Sequence, residues 1–169
     1  MSRDFPDWID PHRAAQGERE FSGTVPVTWL KRVEDLLDAP SAEETLAFRL
    51  RVWKDAQGQP RLELSLDGAV PMTCQRTLDR YLQSIASTSD LTVVESESEL
   101  AGLPEDADPK VCEAGRLQLI DLIEDEVLLQ LPVVPVRPDS EPVVQAGDPP
   151  IEPDEPTSPF AALEELKKR

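Results

Sequence analysis

The sequence predicts an α+β fold: an antiparallel sheet with a few short helices, followed by a disordered acidic proline-rich linker and a short C-terminal helix. Three observations carry this. "TLAFRLRVWKD" and "RLELSLDGAVPM" each alternate apolar and polar residues, the period of a strand with one face buried, whereas "IDLIEDEVLLQLP" places its apolar residues at helical spacing. A chain of 169 residues has room for one domain with a sizeable core plus extensions.

Taken in order, "EREFSGTVPV" from Glu18 reads as a short strand. "TWLKRVEDLLDAP" then reads as an amphipathic helix, with Leu30, Val33 and Leu37 on one face, Thr28 as cap and Pro40 beyond the end. In the next segment Leu46, Phe48, Leu50 and Val52 point one way and Thr45, Ala47, Arg49, Arg51 and Trp53 the other. After the turn "AQGQP" the chain returns with Leu62, Leu64 and Leu66 inward and Arg61, Glu63, Ser65 and Asp67 outward, completing a hairpin. "TLDRYLQSIAS" and "DLTVVES" are two further strands with a weaker pattern, and the acidic "ESELAGLPEDADPK" is a loop outside the core. "KVCEAGRLQL" offers one more short strand before the helix, whose face is Leu119, Ile120, Ile123, Val127 and Leu131 and which Pro132 ends.

These elements make residues 1–136 a single domain. From Pro132 to Pro159 there are nine prolines in 28 residues, with few bases among many acids, so residues 137–157 cannot bury enough apolar surface to offset chain entropy. Residues 158–169, "SPFAALEELKKR", regain a helix signal: Ser158 caps, Pro159 suits the first turn, and Lys167, Lys168 and Arg169 close the C-terminus. Phe160, Leu163 and Leu166 share a face. A helix this short is marginal in water, so these residues and the basic terminus are expected to bind a partner or fold back on the domain.

The chain has 17 basic and 34 acidic residues, a net charge of −17, which argues against a broad polyanion-binding surface. The imbalance is uneven: residues 1–62 carry −2 and residues 63–169 carry −15, so any contact with a polyanion such as RNA is expected from the first half or the basic terminus. No apolar run suits a membrane span and the N-terminus lacks a secretion-signal core, so a soluble cytoplasmic protein with no membrane partner is expected. Two cysteines, Cys74 and Cys112, and one histidine, His12 in a proline turn, support neither a disulfide framework nor a four-ligand zinc site.

Arg49, Arg51 and Trp53, with Lys54 beside them, suit single-stranded RNA, since guanidinium groups pair phosphates and an indole stacks bases. The other reading is cross-strand ion pairs to Glu63 or Asp67. Glu124, Asp125 and Glu126 are consecutive on a helix, point about 100° apart and do not converge on a cation, so an exposed helical face is expected there. No Ser-His-Asp set, phosphate loop or H-E-x-x-H motif is present, so no catalytic residue, cofactor, metal or small-molecule substrate is expected.

Three stretches, "DPHRAAQGEREFSG" from Asp10, "GRLQLIDLIEDEVLLQLPVVPV" from Gly115 and the terminal "SPFAALEELKKR", resemble the YceD family of bacterial large ribosomal RNA subunit accumulation proteins. The acidic Glu124-Asp125-Glu126 core running into "LPVVPV" is the most specific of them. The resemblance implies a non-enzymatic factor for synthesis, processing or stability of 23S ribosomal RNA. Its partner would be precursor 23S RNA or the assembling large subunit, met directly or through a protein. Many family members carry C-x-R-C where this chain has "CQRT"; Cys74 and Arg76 match, Arg76 joins the RNA-contact set, and Thr77 replaces the second cysteine. The alternative is an acidic adaptor for a basic ribosomal protein or an RNA-processing enzyme, never touching RNA itself.

Overall fold

The computed structural model describes residues 5–141. Strands β2 (Glu20–Pro26), β3 (Thr45–Lys54), β4 (Pro60–Thr73), β5 (Arg80–Val94) and β6 (Asp108–Val111) form one sheet in the order β2-β3-β4-β5-β6. Short strands β1 (Trp8–Ile9) and β7 (Leu117–Gln118) pair antiparallel, and helices α1 (Pro11–Gln16) and α2 (Leu119–Gln130) complete the α+β architecture. The three longest strands pair antiparallel as the alternation predicts, and β2 joins β3 the same way.

The alternation decides which face is inside. Leu46, Leu50 and Val52 of β3 lie opposite Gly68, Leu64 and Leu62 of β4, and these apolar side chains are buried. Leu119, Leu122, Ile123 and Val127 of α2 join the same core, each fully buried side chain contributing roughly 1.5–3 kcal/mol of transfer free energy. Gly23 of β2 makes room for an aromatic pair: Phe5 meets Phe48 edge to face at 4.8 Å, and a Cβ at Gly23 would come within 2.8 Å of the Phe5 ring.

Four expectations need correction. Residues 28–37 are not an α-helix but two 3₁₀ turns, Val27–Trp29 and Glu34–Leu36. Leu30 and Val33 are buried as predicted, but the Arg32 N–H donates to the Glu124 carboxylate at 3.0 Å, where an α-helix would give it to the carbonyl four residues back. The two strands expected after residue 77 are one continuous strand, β5. Its pattern is weak because Ser87 and Ser89 sit on the inner face opposite Leu66 and Leu64, and the Ser89 hydroxyl is satisfied by Glu126 of α2 at 2.7 Å.

The sheet is mixed rather than antiparallel throughout, because β6 runs parallel to β5 after a connection that includes the 3₁₀ turn Glu97–Gly102. His12 lies in helix α1, not in a proline turn. Pro11 occupies the first turn, where its missing N–H costs nothing, and Asp10 caps by accepting from the Arg13 N–H at 3.0 Å.

Candidate nucleic-acid interface

One face of the sheet carries the core and the other faces water. Because partners across an antiparallel ladder share a face, the outer side presents Arg49 opposite Ser65, Arg51 opposite Glu63 and Trp53 opposite Arg61. Arg51 pairs with Glu63 at 3.2 Å, and Arg49 pairs across the other ladder with Glu20 at 3.6 Å. The ion-pair reading of this face is therefore realised, although exposed pairs of this kind contribute only about 0–1 kcal/mol and open easily. Arg51 also lies over the Trp53 ring, 5.8 Å from its centroid. Farther along, Ser22, Thr24, Ala47, Ser65, Ala86 and Thr88 are too small to fill the sheet's concavity, which leaves an open trough of about 720 Å³.

Arg76 does not join this group. It sits beyond the far end of β4, about 40 Å from Arg61 at 3.3 Å per strand residue, and donates to the Ser140 carbonyl. There the turn after β4 grips the segment that follows α2. The Gln75 N–H donates to the Pro135 carbonyl at 2.8 Å, and the Arg137 N–H approaches the Cys74 sulfur at 3.4 Å. Cys74 is fully buried. The Thr77 hydroxyl lowers its pKa, burial works against this, and the backbone N–H groups of Arg137, Thr77 and Arg76 add to the lowering, bringing the thiol from 9.0 to about 6. Cys112 is also buried and free, and burial pushes its thiol up. Among the described residues no group of three His, Cys, Asp or Glu is placed to hold a metal ion.

The acidic run on α2 corrects another expectation, for it is not an exposed face. Glu124 and Glu126 are only 3% and 4% exposed, and all three carboxylates serve the fold. Glu124 takes the Arg32 N–H, Asp125 pairs with both Arg32 and Lys110, and Glu126 takes Ser89 and, at 3.3 Å, Gln130. One helical turn thus fastens α2 to the 3₁₀ segment, to β6 and to β5. Carboxylates 100° apart cannot share an ion, but they can reach three different neighbours.

A second group of cations, most of it without a signal in the sequence, emerges from the fold. Arg13, Arg19, Lys54, Arg61, Arg76 and Arg116 have no carboxylate partner among the described residues. Of these, Arg13 and Arg19 line a depression of about 360 Å³ with Trp8 and Phe21. Arg19 also lines a second depression, of about 210 Å³, with Arg51 and Trp53. Arg61 is the cross-strand neighbour of Trp53, and Arg116 stacks over Trp8 at 4.7 Å. The hairpin register already placed Arg61 and Trp53 on one face; Trp8 and Arg116 come with the β1–β7 pair and Arg13 from α1, and Arg19 is the residue shared by the depression at Trp8 and that at Trp53. The expected partner-binding residues Phe160, Leu163, Leu166, Lys167, Lys168 and Arg169 lie outside the described residues.

Fold and surface together define an α+β protein with an open sheet face and a cation-aromatic end, whose recognisable features are surfaces. The chain belongs to the YceD family: the family model described as "Large ribosomal RNA subunit accumulation protein YceD" matches residues 62–167. It is also similar to the large ribosomal RNA subunit accumulation protein YceD of Haemophilus influenzae, 28% identical over 173 aligned positions that cover 98% of this chain and 97% of that one. No solved structure matches the chain. Among the described residues no helix is long and apolar enough to cross a membrane.

Proposed function

We propose that this protein is a non-enzymatic cytoplasmic factor for the accumulation of 23S ribosomal RNA, acting on its synthesis, processing or stability and so on assembly of the large ribosomal subunit. The observation that carries this is the likeness to the Haemophilus influenzae protein along nearly the whole of both chains. The partner is precursor 23S RNA or the assembling subunit, and the terminal residues Phe160 to Arg169 provide a docking element. The test is the ratio of 23S to 16S RNA in cells lacking the protein. A fall that the intact protein restores supports the reading, and an unchanged ratio overturns it.

A second reading, an acidic adaptor for a basic ribosomal protein or a processing enzyme, is favoured by the net charge of −17 and by the pairing of Arg49 and Arg51 with carboxylates. It requires that Phe160→Ala with Leu163→Ala abolish capture of that protein while RNA has no effect on the interaction.

A further inference from the structure

We propose that the end of the molecule running from Trp8 through Arg19 to Trp53 is a binding site for single-stranded RNA. Arg13, Arg19, Arg61 and Arg116 pair its phosphates, and Trp8 and Trp53 stack its bases. The proposal rests on the ribosomal RNA role above for the source of the strand.

Electrostatics point to this end first. In a chain with twice as many acids as bases, an arginine without a carboxylate is unexpected, yet four arginines with none among the described residues collect here. The acids around them are largely committed: Glu20 to Arg49, Glu63 to Arg51, and Asp10 to the cap of α1. Two carboxylates lining these depressions, Glu18 and Asp10, have no cation partner among the described residues, and Asp10 is held by the Arg13 backbone N–H. The acidic turn Glu97–Gly102 follows β5 and lines a separate depression with Gln59 and Val94, which would bias a polyanion toward the β2 and β3 edge of this end.

Shape and chemistry point the same way. Two indoles, each with a guanidinium over its ring, flank two depressions that meet at Arg19. Alternating flat apolar faces and forked donors match a strand whose bases are unpaired and whose phosphates recur at each nucleotide. A duplex would hide its bases from Trp8 and Trp53, and an acidic peptide would leave both rings without a stacking partner.

The test uses the full chain and a labelled poly(U) oligoribonucleotide, with binding followed by anisotropy over a salt series. The intact protein is expected to bind with tryptophan quenching. Arg19→Gln with Arg61→Gln should weaken binding at least about tenfold and flatten the salt dependence by roughly 0.7 in log–log slope for each phosphate no longer held. Arg76→Gln at the far tip should leave affinity unchanged, and Arg19→Lys with Arg61→Lys should restore part of it. Neither Arg19 nor Arg61 makes an ion pair among the described residues, so a thermal melt should show the variants folded. Absence of salt-dependent binding, equal loss from Arg76→Gln, or competition by polyglutamate as effective as by poly(U) would each overturn the site. In cells, a 23S defect fully rescued by the Arg19→Gln, Arg61→Gln variant overturns the site and leaves the role standing. Binding with no 23S defect on loss of the protein overturns the role and leaves the site.

Discussion

Asp125 is held by two cations at once, Arg32 and Lys110, which reach it from different elements. Burial pushes its carboxyl up, but hydrogen bonds and charge from Lys110 and Arg32 outweigh this and hold it below the usual carboxylate range. A carboxylate lowered in the folded state stabilises the fold above its unfolded pKa, and that contribution is lost as pH falls through the folded value. Asp125→Asn should therefore cost about 1 kcal/mol at neutral pH, with the difference from the natural protein vanishing in acid, as read by urea unfolding at several pH values. Cys74 follows the same sign at higher pH. Its thiol is lowered from 9.0 to about 6, so the natural protein should gain stability over Cys74→Ser as pH rises through that window, seen as a widening difference in Tm. The outward placement of Arg49 and Arg51 was legible because alternation alone fixes it. The burial of Glu124 and Glu126 was not, since Arg32 and Ser89 lie 92 and 37 residues away in sequence.

Among the elements, β4 depends on a glycine. Gly68 has φ +150°, and a Cβ there would stand 2.7 Å from the Thr45 carbonyl oxygen and 2.8 Å from the Leu46 side chain. The carbonyl is backbone in a paired strand and cannot swing aside, so Gly68→Ala should destabilise by about 2 kcal/mol or more, measurable by chemical denaturation. Helix α2 was read correctly from its spacing and its terminating proline, because one apolar stripe on the core and one proline suffice to define it. The segment from 28 to 37 has the same kind of spacing and failed as a helix. Its apolar residues do reach the core, but a carboxylate from α2 takes a backbone donor that an α-helix needs, and residues 27–29 include two β-branched side chains. Periodicity reports which residues are buried more reliably than which backbone buries them.

For the whole molecule, the question is what residues 158–169 serve. Truncation after Thr157 should leave the thermal midpoint of the domain unchanged while moving the protein to lighter fractions when lysate is sedimented through sucrose. A fall in Tm with no change in sedimentation would assign the segment to its own domain. Sequence by itself determined the β3–β4 hairpin, the identity of its buried leucines, helix α2 and the family, because each is written in local period or contiguous motif. Only the tertiary structure decided that β6 runs parallel to β5, that the acidic run of α2 fastens three elements, and that Trp8, Arg19 and Trp53 share one end of the molecule. Those outcomes depend on contacts between residues far apart in the chain, whose entropic cost is met by burial of the whole core, and local pattern carries no record of them.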